Sequence, residues 1–125
     1  MILEIDFNSD EAIYRQLRNQ IIIRIATNVF KDGDSLPSVR SLADTLGVNM
    51  HTVNKAYAVL KQEGYIKLDR RHGAVIAVDY DRLQALDEIR DDLSVTLAKA
   101  SCKGLSRDDI HALIDEIYNN YGGNE

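Results

Sequence analysis

Six cationic side chains, Arg40, Lys55, Lys61, Lys67, Arg70 and Arg71, fall within residues 36–78, against the carboxylates Asp44, Glu63 and Asp69. The chain as a whole is acidic, at −5, so this excess is local. Residues 1–78 carry ten Lys and Arg and nine Asp and Glu, a net of +1, whereas residues 79–125 carry five and eleven, a net of −6. Local sign outweighs the total because salt screens charges separated by more than about 8 Å. Such a stretch suits attraction of a polyanion, with the acidic end held away from it. Catalysis has less to work with. His51, His72 and His111 belong to different elements, and Cys102 has no His or Cys near it in sequence, so no metal-ligand set assembles. The acid pairs Asp91-Asp92 and Asp108-Asp109 lie on amphipathic runs and read as solvated faces rather than general acids. No Gly-rich phosphate loop or nucleophile motif occurs. The expectation is a non-enzyme with no cofactor and no metal.

The elements that position these cations begin with residues 36–64, LPSVRSLADTLGVNMHTVNKAYAVLKQEG. Val39, Leu42, Ala43 and Leu46 recur at helical spacing until Gly47 breaks the run. Val53, Ala56, Tyr57 and Leu60 form a second run that ends at Gly64, a suitable helix C-terminus. Ala43 supplies the small side chain that a steeply crossing helix needs, and Gly47 can take the positive φ of a sharp turn. Asn49 can cap the second helix, and Val53 is placed to fill the angle between the two. This is the layout of a helix-turn-helix, whose second helix fits the DNA major groove. A plain helical hairpin shares the pattern, so the stretch alone leaves both readings open. The residues beyond Gly64 favour the first. Residues 65–68 and 74–78 are apolar, β-branched runs around Asp69-Arg70-Arg71-His72-Gly73, which predicts a basic-tipped hairpin, and a helix-turn-helix with such a hairpin directly after it is a winged helix.

Ahead of this stretch, residues 2–7 alternate apolar with acidic and suit an extended arm or an edge strand. Asn8, Ser9 and Asp10 offer N-caps for a helix expected over residues 11–29, with Ile13, Leu17, Ile21, Ile25 and Val29 on its inner face. Lys31-Asp32-Gly33-Asp34 is a turn, and Pro37 fixes the approach to the next helix. Beyond Tyr80, two amphipathic helices are expected, over residues 81–103 and from Ser106 onward. The first carries Leu83, Leu86, Ile89, Leu93, Leu97 and Ala100 on one face, and the second carries Ile110, Leu113, Ile114, Ile117 and Tyr121. Residues 122–125 should fray. Two such helices cannot bury their faces on each other alone, so a second copy of the chain is the natural partner.

With 125 residues, 45% of them hydrophobic, the chain fits one domain or a small domain with an appendage. No run approaches the ~20 apolar residues of a membrane span, and the start, MILEIDF, lacks a basic region and a cleavage site. The one cysteine cannot form an internal disulfide, which suits a reducing cytosol. A cytoplasmic chain with no membrane partner is expected.

Ile13-Tyr14-x-Gln16-Leu17, then Asp32-Gly33-Asp34-x-Leu36-Pro37-Ser38-Val39-Arg40-x-Leu42-Ala43, resembles the GntR family of bacterial transcription regulators. So do Leu46-Gly47-Val48-Asn49-x-x-Thr52-Val53-x-Lys55-Ala56-Tyr57 and Leu60-x-x-Glu63-Gly64-Tyr65-Ile66. The match covers residues 13–76 in order and spacing. A C-terminal part of only two helices is similar to the short-tailed YtrA-like subfamily, and is too small for the larger ligand-binding or aminotransferase-like domains of other branches.

The resemblance implies an α+β, mostly α fold. Residues 1–78 would be a winged helix-turn-helix DNA-binding domain and residues 79–125 a two-helix region for dimerisation, with room for a small-molecule effector. It implies a homodimeric regulator, a repressor, on a palindromic site in double-stranded DNA, and it hints at control of a transporter operon. Ser38 and Arg40 match positions that grip phosphate or base edges. Asn49, His51 and Thr52 match contact positions of the recognition helix, with Asn54 and Lys55 along the same exposed face. His72 and Gly73 match the wing tip, where Arg71 should help. The chain departs from the common pattern at Met50-His51, where an Arg or a small polar pair is frequent. Asn54 replaces a base-reading Arg of some relatives, and Ala74-Val75 replaces Thr-Phe. The first two bear on the target sequence, and the third on packing. A winged helix used for protein–protein contact is the alternative, since Lys55 and Lys61 are a modest count of cations for a recognition helix.

Overall fold

The computed structural model describes residues 3–122, in the order α1 (Ile13–Ala26), α2 (Val39–Leu46), α3 (Met50–Gln62), β1 (Ile66–Asp69), β2 (Gly73–Ile76), α4 (Arg82–Cys102) and α5 (Arg107–Asn120). The chain divides into two compact units, one ending at Asp79 and the other beginning at Tyr80. The architecture is mostly helical α+β, with a winged helix-turn-helix first and two helices after it.

The arm ahead of α1 takes the first of the two forms expected of it, apart from residue 2, which lies outside the described residues. It is not a strand. Leu3 is buried in the core, and the arm's polar backbone groups are met by two glutamines one turn apart on α1. Gln16 accepts from the Asp6 N–H at 2.9 Å and donates to the Asp6 and Glu11 carbonyls; Gln20 accepts from the Glu4 N–H at 3.0 Å and donates to the Glu4 carbonyl. Helix α1 is shorter than its periodicity suggests. Ser9 spends its hydroxyl on the Glu11 N–H, so no side chain caps the helix, and it starts at Ile13 behind Ala12. It ends at Ala26 because Asn28 adopts φ +64°, a left-handed conformation that Asn tolerates. That turn reverses the expected burial: Val29 leaves the inner face and is 59% exposed, while Phe30 enters the core.

Helices α2 and α3 form from the local signals. The Ser38 hydroxyl caps α2 by accepting from the Ser41 N–H at 3.1 Å, and Gly47 stops it at φ +70°. The Asn49 side chain caps α3 by accepting from the His51 N–H at 2.8 Å. Val53, Ala56 and Leu60 are fully buried against Leu17 and Ile21 of α1, Leu42 of α2, and Ile66 and Ile76 of the hairpin. Leu46 packs on this cluster from a half-buried position. Each fully buried aliphatic side chain contributes about 1.5–3 kcal/mol.

Strands β1 and β2 pair antiparallel, Ile66 opposite Ile76 and Asp69 opposite Gly73. The hairpin is tied to the segment that leads into α2: Leu36 N–H donates to the Ala74 carbonyl, Ile76 N–H to the Asp34 carbonyl and Gly33 N–H to the Ile76 carbonyl, each at 2.8 Å, with a bridge between Ser35 and Val75. The wing is therefore held by the loop that presents α2.

In the second unit, Asp81 caps α4 by accepting from the Gln84 N–H, and Ser106 with Asp109 forms a reciprocal capping box at α5. Neither helix buries a residue. Of the expected inner faces, Ala100, Ile110 and Tyr121 are half-buried, while Leu86, Leu93, Leu97, Leu113, Ile114 and Ile117 remain exposed. Of residues 122–125, those from 123 on lie outside the described residues. No helix of the described residues is long and apolar enough to cross a membrane.

Candidate nucleic-acid interface

Three elements converge on one groove of the first unit. The start of α2 contributes Pro37, Ser38 and Val39; α3 contributes Asn54, Tyr57, Ala58 and Lys61; the wing contributes Leu68, Gly73 and Ala74. Its volume is about 420 Å³. Tyr57 fixes two of its walls, because its buried phenol donates to the Pro37 carbonyl at 2.8 Å and so ties α3 to the approach of α2. Burial pushes the Tyr57 phenol far above its ordinary pKa, so it stays neutral and remains a donor.

This groove brings together Ser38, Asn54 and Gly73 of the expected set. Ser38 is exposed, and its hydroxyl, while accepting from Ser41, can still donate outward. Arg40 is exposed on the first turn of α2 and makes no ion pair among the described residues. Asn49 and His51 are exposed at the start of α3, with the Asn49 oxygen committed to its cap, and Thr52 is only half-exposed. Asn54 and Lys55, neighbours about 100° apart around the helix, diverge. Asn54 lines the groove, whereas Lys55 places its ammonium over the ring of Tyr14 on α1, 4.2 Å from the centroid.

At the wing tip the Asp69 carboxylate accepts from the backbone N–H of Arg71 at 2.7 Å and of His72 at 3.3 Å, and its other oxygen lies 3.3 Å from His72 Nδ1. The Arg71 hydrogen bond, then His72, hold the Asp69 carboxyl below the usual range. That carboxylate shapes the turn, while the Arg70 and Arg71 side chains stay exposed. Gly73 supplies the φ of +71° that closes it.

Seven groove residues lie outside the expected set, Lys61 and Leu68 among them. Lys61 lies two turns beyond Asn54 on the same side of α3, a relation readable from the sequence by helical spacing alone. Leu68, 63% exposed on β1, carried no such signal, since it read only as part of an apolar strand. Among the described residues no group of three His, Cys, Asp or Glu side chains is placed to hold a metal ion.

Comparison with known proteins is consistent with this arrangement. The family described as bacterial regulatory proteins, gntR family, matches residues 11–76. The HTH-type transcriptional repressor YtrA of Bacillus subtilis (strain 168) is 32% identical over 119 residues, covering 93% of this chain and 92% of that protein. Among solved structures, a chain described as a transcriptional antiterminator from Listeria monocytogenes EGD-e superposes with a TM-score of 0.88 at 30% identity, covering 100% of this chain and 96% of that one. YtrA from Sulfolobus acidocaldarius, described as a GntR-family transcription factor, gives 0.59 at 38% identity, over 94% and 97% of the two chains.

Proposed function

The chain belongs to the GntR family and is a DNA-binding transcriptional regulator, not an enzyme, and from that premise we propose that it is a cytoplasmic repressor acting as a homodimer on a palindromic operator. The observation that carries the reading is the single groove onto which the start of α2, helix α3 and the wing all open, with Lys61 as its one charged lining residue. Residues 1–78 read the DNA: α3 enters the major groove with Asn49, His51, Thr52 and Asn54 toward base edges, while Ser38, Arg40, Lys55, Arg71, His72 and Gly73 meet the backbone or the adjacent groove. Residues 79–125 dimerise. The exposed apolar faces of α4 and α5 support this, since a second copy supplies the cover that the chain itself does not. Two-fold symmetry then sets half-sites about one helical turn apart. The likeness to a protein named a transcriptional repressor supports repression, and the YtrA-like resemblance supports a transporter operon as the target.

Regulation by a small molecule fits the same frame. The α4–α5 turn encloses an apolar groove of about 450 Å³ lined by Leu93, Leu97, Ile110 and Ile114, with His111 and Arg107 at hand for polar recognition. An effector acts only if it binds one dimer arrangement better than another; a coupling of about 1–3 kcal/mol changes DNA affinity roughly 5–150-fold.

The test uses duplexes from the region flanking its own gene. Wild type should be a dimer by light scattering and should bind one palindromic segment, and Arg40→Ala should weaken that binding by about 1–3 kcal/mol with the melting curve unchanged. A monomer at micromolar concentration would remove the dimer, and undiminished binding by Arg40→Ala would remove that contact.

A further inference from the structure

Three cations of the first unit, Arg15, Arg18 and Lys55, differ in whether an acid stands beside them. Arg18 lies 3.8 Å from the Glu63 carboxylate, and Arg15 lies 4.0 Å from that of Glu11 while its guanidinium is also 5.9 Å from the centroid of the Tyr14 ring, so each has an acid beside it. Lys55, on the recognition helix, has a ring instead: its ammonium sits 4.2 Å from the centroid of Tyr14. Tyr14 is half-buried and packed against the core, so the fold fixes the ring, while Lys55 is exposed. The quadrupole of an aromatic face attracts a cation without cancelling its charge. An ammonium has three N–H donors, and one ring face leaves others directed to solvent.

We propose that Tyr14 is a positioning residue for DNA binding, which holds the Lys55 ammonium ordered but un-neutralised so that it meets a backbone phosphate already in place. This rests on the DNA-binding role of the winged domain. A free lysine loses rotamer freedom when it grips a phosphate. A lysine already ordered on a ring loses less. A carboxylate partner would order the side chain too, but it would repel the phosphate and compete for the cation. Tyr14 lies on α1, outside the helix-turn-helix, and reaches the interface only through the packing of α1 on α3.

The experiment needs no operator, because a phosphate contact is indifferent to sequence. Binding of the full chain to a labelled duplex of mixed sequence is followed by fluorescence anisotropy across a salt series. Lys55→Gln should lower the slope of log K against log salt by about 0.9 per protomer. Tyr14→Leu should weaken binding about threefold when Lys55 is present and not at all in the Lys55→Gln background, and Tyr14→Phe, which keeps the ring face, should bind as wild type. Thermal melts of each variant by circular dichroism confirm a folded chain at the binding temperature; if Tyr14→Leu does not fold, Tyr14→Met stands in for it. An unchanged slope for Lys55→Gln, an equal loss from Tyr14→Leu in both backgrounds, or failure of Tyr14→Phe would each overturn the proposal. Wild type that binds no duplex at any salt would instead overturn the DNA-binding role itself.

Discussion

The unit that ends at Asp79 and the unit that begins at Tyr80 are both built on amphipathic helices, yet they dispose of their apolar faces differently. In the first, three helices pack together with a hairpin, so that Leu17, Ile21, Val53, Ala56 and Leu60 are out of solvent altogether. In the second, α4 and α5 have good caps and regular stripes, but no residue is buried. Leu97, Ile114 and Ile117 stand about 40% exposed. Local order and burial are thus separable. A capping box and helical spacing are enough to set a helix, but a core needs a third surface. The first unit contains its own; the second, if the chain is the dimer proposed for it, is completed by another copy.

The sharpest way to break that comparison is to cut into each face. Leu60→Ala removes a side chain with 0% exposure and should cost the first unit about 2–5 kcal/mol, measured by urea unfolding. A cost below about 1 kcal/mol would mean that the core is less tightly closed than its burial indicates.

Leu97→Asp should act in another way. It should leave the first unit's melting unchanged, because the two units are compact separately, but it places a charge on the face proposed to meet a second copy. The dimer should dissociate at concentrations where wild type holds together, and operator binding should fall with it, as sedimentation velocity and anisotropy would report. A dimer of wild-type strength in Leu97→Asp would show that the apolar stripe is not the interface.

The smallest effect concerns a device that the two units share. Asp69 at the wing and Asp109 at the start of α5 each accept from backbone N–H groups, of Arg71 and His72 in one case and of Ser106 in the other, and these bonds hold both carboxyls below their ordinary range. A carboxylate whose folded pKa is depressed contributes stability above its unfolded value, about 4, and loses that contribution as the pH falls through the folded value. Both turns should therefore loosen only below about pH 4. The Arg71 and Ser106 amide resonances should shift there together, and Asp69→Asn should abolish the response at the wing alone. Amide shifts centred near neutral pH would contradict the assignment.

The residues that set each helix in this protein were legible in the sequence, because caps and stops are made by neighbours. Ser38, Gly47, Asn49, Gly64 and Ser106 act on groups within about one turn of themselves, and their types and spacing suffice to place them. The same holds for the buried stripe of α3 and for the order of helix, turn, helix and wing that marks the family. Where the sequence misled, a choice between equivalent neighbours was made elsewhere. Val29 and Phe30 are both apolar, and only the left-handed turn at Asn28 decides which enters the core. Residues 3–6 could have paired as a strand, but Gln16 and Gln20 satisfy their backbone from across the chain. Asn54 and Lys55 could have shared a face, but the groove takes one and the ring of Tyr14 the other. Leu68 joins Ser38 and Lys61 along one groove only when the hairpin is tied to the loop before α2. Those contacts join residues far apart in the chain, and which of several compatible partners a side chain meets depends on where the packed helices put it, a quantity that no local pattern encodes.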